Sequence, residues 1–195
     1  MSIQITEDDV FRKVGRNLLL FQRLENVLKF LVVHGGISGY ASELESKHLR
    51  RSETVGKQTL GTVAGQFFEQ NFSACDEQLP TQVKEPYFSA KFELDVENAN
   101  PEIKAENLSN LIDGRNDLVH HFLQRFKFNS LDGLIEAGNY LDCQHEDIMR
   151  DLNYFRKLMG QLQHLRRKYS EWMNSDEARQ FFLGEHDDNE SPKTN

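Results

Sequence analysis

Arg115-Asn116-Asp117-Leu118-Val119-His120-His121 is the stretch of this sequence whose side chains are best suited to meet anionic charge and to move protons. A guanidinium is a permanent cation with a planar fork of donors that matches phosphate or carboxylate oxygens. Imidazole has an ordinary pKa of ~6.5, so it both gives and takes protons near neutral pH. The stretch falls within residues 102–126, whose apolar spacing predicts a helix. At ~100° per residue, Leu108, Leu111, Ile112, Leu118, Val119, Phe122, Leu123 and Phe126 cover one broad face. Arg115 falls in the middle of that face, where a leucine is expected. A charge there is costly unless it is paired or kept wet. Asn116 and His120 are four apart, hence neighbours on one flank of the face, while His121 falls on the other flank.

An arginine, then a polar residue, then a histidine four to six positions on, within a helix of a bundle, resembles the motif of the HEPN superfamily. Here it reads Arg115-Asn116-Asp117-Leu118-Val119-His120, the R-N-x-x-x-H version, and His121 satisfies the looser spacing. Some members continue as H-x-Y. This chain has Phe122 at that place, so a role for the tyrosine is absent. The resemblance covers the bundle in outline, residues 6–173, and leaves the segment 72–101 outside it. It implies a metal-independent endoribonuclease, often a toxin or phage-defence effector, that dimerises so that two motifs form one cleft. It equally implies non-catalytic relatives that bind proteins or nucleotides. Under the catalytic reading RNA is the substrate, and the ribose 2′-hydroxyl attacks its own phosphodiester without a metal or cofactor. Arg115 then stabilises the pentacoordinate phosphate, His120 moves a proton, and Asn116 orients His120 or the phosphate. His121 joins in substrate binding. A second copy of the chain and an antitoxin protein are the implied partners. The competing structural reading makes Arg115 the partner of an acid on a neighbouring helix and His120 an ordinary surface or core histidine.

The elements that must position this stretch are also legible. Thr6 can cap a helix whose first turn carries Glu7, Asp8 and Asp9. Val10, Val14, Leu18, Phe21, Leu24, Leu28 and Leu31 continue it, and His34-Gly35-Gly36 ends it. Residues 40–71 read as one or two helices. Residues 72–101 hold three prolines, and Phe88, Ala90, Phe92, Leu94 and Val96 alternate. They predict an insertion with an extended segment, formed as a small hairpin. Residues 131–173 predict a helix with a break or bend near Asn139, followed by a short helix at 175–183. The expected fold is all-α, an up-and-down helical bundle over 1–184 with a small insertion around 72–101, and a disordered acidic tail at 185–195.

The other candidates are weaker. Leu165-Arg166-Arg167-Lys168-Tyr169 is a basic run with aromatic company. It places Arg166, Arg167 and Lys168 as candidate contacts to an RNA backbone, against the alternative of a solvated face. Such a patch matters because the net charge of −8 offers nucleic acid no attraction from the whole molecule. The glycines from Gly35 to Gly39 lack the lysine of a phosphate loop and read as a helix stop. His145, Glu146 and Asp142 lack a partnering motif and read as a solvated face. The stripe from Leu152 to Trp172 reads as core or dimer interface. With only two cysteines and no C-x-x-C pair, a thiolate zinc site and a disulfide framework are not indicated. No basic-apolar leader and no apolar run of ~20 residues occurs, so a cytoplasmic, reducing setting without a membrane span is expected.

Overall fold

The first helix begins where a capping box forms. The Asp9 N–H donates to Thr6 Oγ1 at 3.2 Å, and the Thr6 N–H donates back to Asp9 Oδ2 at 3.1 Å. From there α1 runs Glu7–His34 and ends as the Gly35 N–H donates to the Leu31 carbonyl at 2.8 Å. The computed structural model describes residues 5–72, 85–91 and 101–183. The remaining elements in chain order are β1 (Gly36–Tyr40), α2 (Leu44–Gly56), α3 (Leu60–Phe72), β2 (Tyr87–Lys91), α4 (Pro101–His120), α5 (Phe122–Arg125), α6 (Leu131–Met173) and α7 (Asp176–Leu183).

The long helices alternate in direction. Lys29 bonds the Gly56 carbonyl and Arg51 the Gly36 carbonyl, so α2 descends beside an ascending α1. The end of α3, at Gln70 and Asn71, lies near Gly35, so α3 ascends. Gln144 bonds the Gly114 carbonyl, and Asn107 faces Arg150 across a cleft, so α4 descends along α6. Five alternating passes leave the first and the last parallel, and α1 packs along α6 in that sense. Lys13 bonds the Gly138 carbonyl, and Asn17 bonds the Leu141 carbonyl and Gln144. The all-α bundle is therefore the fold, and its only described sheet has two strands.

The core is built from one stripe of each long helix. Leu24, Leu28 and Leu31 of α1, Val63 and Phe67 of α3, Leu108 and Leu118 of α4, and Leu141, Ile148, Leu152, Phe155 and Leu162 of α6 are all buried. Each such side chain contributes roughly 1.5–3 kcal/mol by leaving water. Phe67 meets Phe155 edge-on at 5.4 Å, locking α3 to α6. Beyond Leu162 the stripe outruns its neighbours, and Leu165 is exposed.

Three expectations need correction. Among the described residues the extended segment pairs outside the insertion. β2 pairs antiparallel with β1, Gly36 opposite Lys91 and Tyr40 opposite Tyr87. The glycine-rich helix stop thus doubles as a strand; Phe92, Leu94 and Val96 lie outside the described residues, as does the tail from Gly184. Gly39 has φ +153°, a conformation that favours glycine, and a Cβ there would lie 2.9 Å from Lys47 Nζ. Next, α6 passes through Asn139 unbroken over 43 residues. Asparagine costs a helix interior only a few tenths of a kcal/mol or slightly more, whereas Ala137, Gly138 and Leu141 are buried against α1. Finally, 102–126 is not one helix. It stops at His120, turns at His121 and resumes as the single turn α5. Aromatic packing and an ion pair hold that corner. Phe126 packs on Tyr140 at 5.4 Å and on Phe122 at 5.0 Å, and Arg125 bridges to Asp117 at 3.0 Å.

Candidate functional site

Arg115 lies one helical turn from the buried Leu111 and Leu118, yet its own side chain is only half-buried. The face narrows there, because Val119 and Leu123 are exposed rather than packed. Its guanidinium donates to Asn116 Oδ1 at 3.1 Å. Among the described residues no carboxylate pairs with it, since the adjacent Asp117 is taken by Arg125. The acid partner of the structural reading is thus not found in the described part of the molecule, and a neutral amide stands in its place.

Arg115 and His120 differ by five residues, about 140° around an α-helix. The bond to Asn116 turns the guanidinium toward the flank that Asn116 shares with His120. His120 is the last residue of α4 and is exposed, as are Asn116 and His121. The expected separation of the two histidines onto opposite flanks is weakened by the turn at His121, since their rings lie 6.2 Å apart. Asn116 holds Arg115 rather than His120. His120 also lines a groove of about 420 Å³ with Phe11, Val14, Leu18, Val119 and Leu123. A second cleft of about 420 Å³ is lined by Asn107, Asn110, Gly114, Tyr140, Gln144 and Arg150 among others.

A buried polar network fixes the height of this turn. Asn17 is fully buried, and its Nδ2 donates to the Leu141 carbonyl at 2.8 Å and to Gln144 Oε1 at 3.0 Å. Gln144 Nε2 then donates to the carbonyl of Gly114, the residue before Arg115, at 3.0 Å. One chain of amides ties α1, α6 and α4 together at the base of the motif. The sequence holds a signal for it. Asn17 interrupts the seven-residue series Val10, Leu24, Leu31, and Gln144 falls in the series Ala137, Asp151, Leu158. A second support is Arg125, whose guanidinium lies over the Tyr140 ring at 4.6 Å. Burial raises the Tyr140 phenol above its ordinary value; the Arg125 charge opposes this and Asp117 adds to it.

The basic run does not join the motif within one chain. Arg166 lies 26 residues along α6 from Tyr140, roughly 39 Å at ~1.5 Å per residue. Arg167 and Lys168 are exposed and share Glu171 at 3.9 and 3.7 Å. Asp142, from the weak metal candidate, is held by Lys13 and Arg16. Burial opposes its ionisation, but those hydrogen bonds outweigh burial and keep its carboxyl below the ordinary value. Among the described residues no group of three His, Cys, Asp or Glu side chains is placed to hold a metal ion, and no helix is long and apolar enough to cross a membrane. No family model, no curated protein and no solved structure matches this chain.

Proposed function

We propose that the protein is a metal-independent endoribonuclease of HEPN type, with Arg115, Asn116 and His120 as its working residues. One observation carries the reading. Arg115 is half-buried on an apolar helix face, lacks a carboxylate among the described residues, and is turned by Asn116 toward the flank of an exposed histidine. A guanidinium kept in that state is available to an anion from outside. In the proposed step the ribose 2′-oxygen attacks the adjacent phosphorus, forming the 2′-O–P bond and breaking the P–O5′ bond. His120 moves the proton, and Arg115 offsets the negative charge on the phosphoryl oxygens. The products are a 2′,3′-cyclic phosphate and a 5′-hydroxyl.

His120 is exposed, so the pocket that excludes water is completed by a second copy, seated on the groove of Phe11, Val119 and Leu123. These three side chains are 44%, 45% and 67% exposed, an apolar rim at the edge of the motif. The same rim favours the second reading, a helical module that binds a protein such as an antitoxin, or a nucleotide, and does no chemistry. The test is RNA cleavage in EDTA by the wild-type chain, with light scattering beside it. Cleavage by a dimer supports the ribonuclease. A folded 22.7 kDa monomer without cleavage leaves the module.

A further inference from the structure

At the opposite end of the bundle from Arg115, a cavity of about 250 Å³ is lined by Gly35, Gly36, Arg51, Gln70, Asn71 and Lys91 among others. We propose that this cavity binds the phosphate group of a small phosphomonoester, with Arg51 and Lys91 as its cationic contacts. The site is separate from the motif and does not depend on the ribonuclease reading.

Arg51 is the main evidence. Its Nη1 donates to the Gly36 carbonyl at 2.8 Å, and among the described residues it has no carboxylate partner. Arg115 shares that state, but the part-buried cations of α1 do not. Lys13 and Arg16 share Asp142, and Lys29 holds Glu25 at 2.7 Å. Burying a guanidinium beside only a neutral acceptor is costly, and a bound anion offsets that cost. Lys91 stands opposite Gly36 in the β1–β2 ladder. A Cβ at Gly36 would lie 3.4 Å from the Ala90 carbonyl and 3.9 Å from Lys91 Cγ, so the glycine keeps this wall of the cavity open.

The surroundings of His34 add to this. Its ring lies 4.4 Å from Phe30 and 5.1 Å from His48. Burial first, then the charges of Arg166, His48 and Arg51, hold it down to about 4. Two guanidiniums, those of Arg166 and Arg51, act on this one histidine and mark a local positive field in a chain of net charge −8. Arg166 of the basic run therefore faces this end of the molecule.

The chemistry favours phosphate over carboxylate. A phosphomonoester carries about −1.5 to −2 at neutral pH, which matches two cations. The cavity is smaller than the ~300–1,000 Å³ of typical ligand pockets, so the ligand is small. Ile37 and Ala90 give it an apolar wall. The test is calorimetric titration of the full chain with phenyl phosphate and with benzoate, which differ in the anionic group. Phenyl phosphate should bind saturably. Arg51→Gln should weaken it by about tenfold or more and Lys91→Gln by several-fold, because charge-assisted hydrogen bonds are lost. Arg115→Ala should bind it as the wild type does. No saturable binding, unchanged binding in both pocket variants, or loss in Arg115→Ala would each overturn the site. Benzoate binding as tightly as phenyl phosphate would overturn the phosphate assignment. If a thermal melt shows Arg51→Gln unfolded, Lys91→Gln decides the question, since its side chain is exposed on a strand end.

Discussion

At one end of the bundle Arg115 rests on the amide of the next residue; at the other, Arg51 rests on a carbonyl fifteen residues away. Neither has a carboxylate among the described residues, yet the two ends are built differently. The Arg115 end draws its polar side chains from one short stretch of a single helix, and a buried amide network props that stretch from below. The Arg51 end gathers cations from α2, β2 and α6 around the end of α1. A site made from one stretch of helix is visible as a motif. A site made from four elements is visible only once the chain is folded. The first leaves its histidines exposed, and on the proposed reading a second copy completes it. The second is a cavity of about 250 Å³ to which several elements contribute within one chain.

The largest effects separating the two ends should be catalytic. Arg115→Ala and His120→Ala should each lower RNA cleavage by ~100- to 10,000-fold, the usual cost of losing a general acid/base or a charge-stabilising donor. His121→Ala should cost less, although its ring is only 6.2 Å from that of His120. Single-turnover cleavage by folded variants measures this. Equal losses for the two histidines would show that the turn at His121 makes them one unit. Arg51→Gln should leave cleavage unchanged, which keeps the two ends independent.

Intermediate effects should come from the network beneath the motif. Asn17→Ala removes a donor from the Leu141 carbonyl and from Gln144, in a position with no access to solvent. A loss of about 1–3 kcal/mol of stability is expected in denaturant titrations, the cost of leaving such a group unsatisfied. Cleavage should also fall, because Gln144 then holds Gly114 less firmly. Full activity at reduced stability would limit the network to a folding role.

The smallest effect belongs to the other end and is a pH dependence. The folded-state pKa of His34, about 4, lies below its ordinary 6.5. Between those values the unfolded chain binds the proton and the folded chain does not, so stability falls as pH drops from 6.5 toward 4. Allowing for the partial exposure of the ring, the slope amounts to about 1 kcal/mol over that window. Thermal melts from pH 7.5 to 5 should show it, and His34→Gln should flatten it. An unchanged slope in that variant would place the titration elsewhere.

What could be read from the sequence follows the same division. Thr6 and the three acids after it fix the start of α1 by local chemistry alone, and the spacing Val10 to Leu31 fixes its buried side. Arg115, Asn116 and His120 are legible because fewer than two turns of one helix hold them. The β1–β2 pairing was not legible. It joins Gly36–Tyr40 to Tyr87–Lys91 across two helices, and β1 is short and glycine-rich, with no alternation of its own. The stop at His120 was hidden for a related reason. The apolar spacing continues through Phe122 and Phe126, and it is packing on Tyr140 that bends the chain there. Arg166 was legible as a basic residue but not as a neighbour of His34, because that depends on α1 and α6 running parallel.

The most direct test of the ribonuclease reading uses one RNA and its all-2′-deoxy counterpart, each incubated with the wild-type chain and with Arg115→Ala in EDTA, with the product ends identified by mass spectrometry. The expected result is cleavage of the RNA alone by the wild type alone, leaving 2′,3′-cyclic phosphate and 5′-hydroxyl ends. Cleavage of the deoxy strand, cleavage undiminished in folded Arg115→Ala, or activity that appears only when a divalent ion is restored would contradict it.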